Sequence, residues 1–220
     1  MTVCRVPFAL PAIARLSVAV PLLALLAGCA GLGPSGQNNA VQHWTLFHEQ
    51  PQITDADALE PVVLRLIEID APTALDTTAM VYREQANQLS FYRDNRWAAP
   101  PAEMIQHSLK AGFERQDWVR AVLLGNARLG SDIVVACDLD RLEHQVVSET
   151  QGQAHLTLSC AWVKTESRSV VERTVYAEST PFSPNDASHF VAASQQMLAD
   201  MSDAIVQQTR AVATEMQTDK

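Results

Sequence analysis

Six histidines, four cysteines, two alternating aspartates and one cluster of arginines with aromatics are the groups in this sequence able to do chemistry. His43, His48, His107, His144, His155 and His189 are scattered. None completes a His-Glu-x-x-His or Cys-x-x-Cys spacing that would hold a metal, so they read as solvated surface side chains. Asp138 and Asp140 alternate with apolar residues, which places both on one strand face. Paired carboxylates can share acid and base work. Nothing in the sequence positions a partner for these two, and they read as a solvated outer face. A Gly-x-Ser-x-Gly elbow and a phosphate-cradling glycine loop are both absent. The chain therefore reads as a non-enzyme that needs no metal or diffusible cofactor.

The denser cluster joins Arg83, Arg93 and Arg96 to Tyr82, Tyr92 and Trp97. Arginine, tyrosine and tryptophan dominate interface hot spots, which makes Arg83, Arg93, Arg96 and Trp97 candidate partner-binding residues. The competing expectation is that Tyr82, Tyr92 and Trp97 pack a hairpin beneath the first helix. Met197 and Met201 suit an adaptable apolar groove, but their helical spacing points to core.

The cysteine with the strongest context is Cys29, preceded by Leu26, Ala27 and Gly28. Arg5 and Arg15 supply positive charge ahead of an apolar run from Leu16 to Ala27, and small residues precede the cut, as in a secretory signal. The sequence Leu26-Ala27-Gly28-Cys29 resembles the bacterial lipobox. The expectation is cleavage before Cys29 and an N-acyl diglyceride, with palmitate, on its thiol and new amino terminus. An uncut transmembrane anchor is the alternative, since a bilayer asks for roughly 20 apolar residues. Pro21, the Gly28–Gly31 break and the missing basic stop disfavour it. Ala30 stands where an aspartate retains such proteins in the inner membrane, so the expected address is the outer membrane, periplasmic face.

Removing residues 1–28 takes Arg5 and Arg15 and no acid, leaving 14 basic residues against 25 acidic ones. That balance disfavours nucleic acid and anionic membrane surfaces as partners. The remaining 192 residues fit one domain. Residues 29–43 form the lipidated cysteine and a Gly-, Ser- and Asn-rich tether. About 13 residues of that composition reach roughly 20 Å. Residues 44–220 are the domain. Cys137 and Cys160 remain after cleavage. A turn centred between Ser148 and Gly152 sets them three residues out of register, which predicts two buried free thiols rather than a disulfide.

Strands are expected at Trp44–Phe47, Pro61–Ile69 and Val119–Leu124, with a hairpin of Ala79–Arg83 and Gln88–Tyr92 around Gln85-Ala86-Asn87. Ile133–Val147, Ala154–Lys164 and Val170–Glu178 read as an antiparallel meander. Asn95 to Pro101 reads as a corner into a first helix over 101–115, where Ile105, Leu109 and Phe113 make an apolar stripe. Ser183 as cap and Pro184 as first helical residue start a second helix that reaches about Ala213. Ala187, Phe190, Met197, Leu198, Met201, Ile205 and Val212 share one side. The fold class is α+β, a mostly antiparallel sheet with two helices packed on one face.

The order of these landmarks resembles one family. A lipobox and tether lead to Trp44-Thr45-Leu46, then to a Val-rich strand closing on Ile69-Asp70-Ala71-Pro72. Leu75-Asp76, Met80-Val81-Tyr82-Arg83, Leu89-Ser90-Phe91-Tyr92 and Asn95-Arg96-Trp97 follow. Together they look like the ABC-type transport auxiliary lipoprotein family, the YmbA/PqiC-like group, over residues 44–212. Trp44 stands where a tyrosine is commoner. The resemblance implies an outer-membrane lipoprotein that docks the periplasmic MCE-domain protein of a lipid transporter with an ABC permease and ATPase. A homo-oligomer is compatible with that role. The alternative is an outer-membrane assembly lipoprotein that binds a β-barrel protein or lipopolysaccharide.

Overall fold

The computed structural model describes residues 40–47, 59–125 and 129–218, all within one unit running from Ala40 to Lys220. Eight strands are present among the described residues: β1 (Gln42–Trp44), β2 (Val62–Leu66), β3 (Ala79–Gln85), β4 (Gln88–Trp97), β5 (Val119–Leu124), β6 (Ile133–Val146), β7 (Gly152–Lys164) and β8 (Ser169–Phe182). The helices are α1 (Pro101–Glu114) and α2 (Ala187–Thr218).

The meander is present: β6 pairs antiparallel with β7, and β7 with β8. The β3–β4 hairpin is antiparallel as well. The rest of the sheet corrects the expectation of a mostly antiparallel one. β1 runs parallel to β4, β5 to β2, and both β2 and β3 to β6. The reason lies in β6, whose fourteen residues outreach its neighbours. One edge takes β7 along its whole length. The other takes β2 at Ile133–Val135 and β3 at His144–Gln145, with an Asp70–Asp138 bridge between them. Parallel partners need long crossovers, and β3, β4 and α1 supply the one between β2 and β5.

Side chains alternate across β6 and β7, so Ile133, Val135, Leu139, Leu156, Leu158 and Trp162 fall on one buried face. α2 packs against β6, β7 and β8, and α1 packs against β5 and α2. Phe190, Met197, Met201 and Ile205 complete the core, which places both methionines inside, as their spacing indicates. One polar bond crosses it: Trp162 Nε1 donates to Thr209 Oγ1 at 2.8 Å, and that hydroxyl donates to Ile205 O. A buried indole N–H thereby finds a partner.

Local chemistry explains the helix ends. α1 has prolines at its start, where a missing N–H costs nothing, and Glu103 in its first turn. α2 starts three residues later than Ser183 and Pro184 suggest, and it runs on to Thr218. Its cap is Asp186, whose Oδ1 accepts from the His189 N–H at 3.0 Å. Ser183 instead donates to Thr150 O at 3.0 Å, and Asn185 donates to Ser148 O at 2.9 Å. These two bonds fasten the α2 entry to the β6–β7 turn.

Cys137 and Cys160 correct a second expectation. They are directly opposite in the β6–β7 ladder and joined by a disulfide. Val146 pairs with Gly152, so the turn is centred nearer Glu149, and a bulge between Leu139 and Arg141 absorbs one further residue. The two offsets together cancel the mismatch.

Candidate functional site

The lipobox Leu26, Ala27, Gly28 and Cys29, together with His48, lies outside the described residues. The arginine–aromatic cluster is described in full, and the structure separates it. Trp97 is 1% exposed and meets Phe190 at a tilt, ring centroids 5.9 Å apart. It is core, packed against Phe190 of α2, and offers no docking surface. Arg83 is fixed in the sheet: its Nη2 lies 3.0 Å from Glu143, which also pairs with Arg141. Burial alone would raise the Glu143 pKa, but hydrogen bonds from Arg83 and Arg141 hold it below the ordinary carboxylate value. Arg96 Nη1 donates to the backbone carbonyls of Asn95, at 2.9 Å, and Tyr92. Arg93 is the outward member, with a side chain 88% exposed and paired to neighbouring Asp94 at 2.9 Å. Phe91 and Leu89, two and four residues before it, are exposed on the same strand, at 50% and 41%.

Tyr82 and Tyr92 belong to a second, enclosed group that the sequence did not reveal. Tyr92 Oη lies 2.6 Å from His144 Nδ1, which fits a phenol donating to a neutral imidazole. Tyr82 meets Tyr92 edge-on at 5.3 Å, and His144 contacts the rings of Phe182 and Phe190 at 4.9 and 5.6 Å. His144 is 2% exposed, which corrects its reading as a surface histidine. His43, His107 and His189 are exposed and His155 is half-buried. The missed signal was parity: beyond the bulge, Leu142 and His144 fall on the inward face.

Burial lowers the His144 pKa, and the charge of Asp186 opposes the shift. Burial and Asp186 together push the Tyr92 hydroxyl up. For Asp186 itself burial acts upward, but hydrogen bonds from the His189 backbone and ring and from Ser188 bring it to about 2. Gly152 seals the group. A Cβ there would stand 2.3 Å from the Phe182 ring and 2.6 Å from His144 Nε2.

This enclosed arrangement holds a sheet and a helix together; it does not present a nucleophile to solvent. Asp138 and Asp140 are exposed, as expected of an outer face, and Ser159 donates to Asp140. Among the described residues no group of three or more His, Cys, Asp or Glu could hold a metal. No helix among them is long and apolar enough to cross a membrane.

A family model described as "ABC-type transport auxiliary lipoprotein component" matches residues 44–206, from the end of β1 well into α2. No curated protein matches the sequence at a significant level. Among solved structures, the chain is similar to protein XCC0632 of Xanthomonas campestris, from family DUF330. The TM-score is 0.70 at 21% identity, over 81% of this chain and 98% of that one. An uncharacterized protein matches with a TM-score of 0.55 at 13% identity, over 77% of this chain and 99% of that one. At these identities the structural likeness speaks for the fold.

Proposed function

Since this chain belongs to the family of ABC-type transport auxiliary lipoprotein components, we propose that it is the outer-membrane docking subunit of an intermembrane lipid transporter. The family is one of membrane-anchored, periplasm-facing lipoproteins that accompany ABC transport systems. The observation that carries the proposal is the extent of the match, which takes in β2 to β8, α1 and most of α2.

The mechanism is positional. Acyl groups on Cys29 hold one end in the outer membrane, since two or more chains anchor stably. The segment to residue 43 spans the headgroups. The domain binds the end of a periplasmic MCE-domain assembly whose permease and ATPase sit in the inner membrane. Many weak contacts made at once gain avidity without any one being strong. Arg93, with Phe91 and Leu89 beside it, is the docking candidate that the fold leaves accessible.

Anchoring is tested by Cys29→Ser. The variant is expected to lose acylation and leave the membrane fraction with its domain folded, and cells carrying it to lose the transport phenotype. Full transport by the soluble form would overturn the positional mechanism.

A further inference from the structure

Beyond the three-residue β1, the described residues leave an edge without a neighbouring strand on β8, on β5 and on part of β4. Open edges invite a further strand, and folded proteins guard them with charge, proline or a covering element. β8 carries Arg173, Glu178 and Pro181. β5 carries Arg120 and has α1 packed against it. Gln88-Leu89-Ser90-Phe91 of β4 has none of these guards.

This open stretch stops short of β1. β1 takes Asn95–Trp97, while β3 takes the other side of β4 at Gln88, Ser90 and Phe91. Between the two, β4 bulges against β3, and Arg96 Nη1 takes up the Tyr92 and Asn95 carbonyls. Arg93 and Asp94 pair with each other, which leaves that end of the edge neutral. Leu89 and Phe91 are exposed, on the face of the Val81 that Phe91 opposes in β3. Leu89 also borders a cavity of about 250 Å³ lined in part by Val81 and Leu142, where Arg83 and Arg141 are offset by Asp140 and Glu143. Apolar surface without net charge suits an apolar occupant.

We propose that an extended segment of the transporter's periplasmic partner, apolar at alternate residues, joins the sheet as a strand along Gln88–Phe91. This rests on the docking reading and gives it a mode. Main-chain bonds supply affinity, and apolar side chains beside Leu89 and Phe91 supply selectivity. The chain's own residues ahead of β1, Gly36-Gln37-Asn38-Asn39, are rich in types depleted in strands and bring no apolar side chain to Leu89 and Phe91. A second copy pairing through the same four residues falls far short of the roughly 20–30 residues a side that a stable interface uses. A transporter partner held by several such contacts at once needs no more.

The test uses the full-length lipidated chain in detergent and a synthetic peptide, acetyl-Lys-Thr-Val-Thr-Phe-Thr-Val-Thr-Lys-amide. The peptide is expected to bind saturably and to slow amide hydrogen exchange at Gln88–Phe91, with β5 and β8 unchanged. Leu89→Ser with Phe91→Ser should weaken it at least tenfold at an unchanged melting temperature, whereas Val175→Ser on β8 should leave binding intact. A strand's backbone N–H groups alternate between its two edges, so N-methylating the apolar residues and N-methylating the threonines block opposite edges. One methylated form should lose at least tenfold and the other bind as the parent does. Equal binding by both forms overturns the proposal, as does protection at β8 or no binding at all. Protection of Gln88–Phe91 that rises with protein concentration in the absence of peptide assigns the edge to a second copy and overturns it too. Docking itself is judged apart, by copurification from native membranes. Transporter subunits that copurify while the peptide protects nothing leave docking standing and overturn the edge pairing. Peptide protection without copurifying subunits overturns the docking reading, and the partner named here with it.

Discussion

His144 Nδ1 and the Tyr92 hydroxyl lie 2.6 Å apart, inside the junction of β4, β6 and the start of α2. This pair ties the sheet to the helix entry at the point where Asp186 caps α2. Burial disfavours charge on the imidazole, and stability depends on pH as a result.

Below its ordinary pKa near 6.5, an unfolded His144 binds a proton that the folded ring resists. Stability is therefore complete above about pH 6.5 and falls as pH drops below it. Asp186 adds a second, more acidic loss between the ordinary 3.8 and about 2. Urea unfolding at pH 7.5, 6.5, 5.5 and 4.5 measures the first slope. His144→Gln should flatten it between pH 6.5 and 4.5. An unchanged slope in that variant would assign the dependence to other groups.

Gly152→Ala places a methyl against the Phe182 ring and His144 Nε2 at 2.3 and 2.6 Å. Overpacking of this kind costs about 1–3 kcal/mol. A lower melting temperature, with the aromatic near-ultraviolet circular dichroism altered, is the expected result.

Removing both sulfurs with Cys137→Ser and Cys160→Ser releases a loop with a sequence separation of 23 residues. On the chain-entropy account the loss is about 3 kcal/mol. The oxidised wild type should resist urea more than the double variant, and reductant under unfolding conditions should erase the difference. Equal midpoints would show that the cross-link does not constrain the unfolded chain.

Asp186→Ala removes the cap of α2 and should cost about 1 kcal/mol, read as a lower urea midpoint at pH 7. The loss should shrink as pH falls towards 2, where about half of the wild-type carboxylate is itself protonated. A loss that stayed constant down to pH 2 would mean that the charge plays no part in the cap.

The two helices and the three-strand meander were legible because their signals are local. Ile105, Leu109 and Phe113 repeat at helical spacing, and β6–β8 are joined by short turns. α1 accordingly ends one residue from its expected limit. The parallel pairings were hidden because β2, β3 and β5 find their partners through crossovers, and strand alternation carries no sign of direction. The disulfide was hidden by one bulge and a turn centre displaced by about one residue, since register reverses with each residue of slip. Trp97 looked like an interface anchor by residue type; only the fold reveals that it sits on Phe190. Arg93 keeps its expected accessibility because it lies on the open side of β4.

That accessibility separates docking from stability. Arg93→Glu together with Phe91→Ala should leave the urea midpoint within experimental error of wild type and weaken retention of the transporter partner. Arg83→Met should instead lower the midpoint, because Glu143 is 5% exposed and loses one of its two arginines.

The most direct measurement of the central claim is affinity purification of the full-length, lipidated chain from native membranes after mild cross-linking, with mass spectrometry of what copurifies. The account predicts an MCE-domain protein with its ABC permease and ATPase, reduced in the Arg93→Glu, Phe91→Ala variant. Recovery of a β-barrel protein or lipopolysaccharide-assembly factors, with no MCE, permease or ATPase subunit, would contradict it.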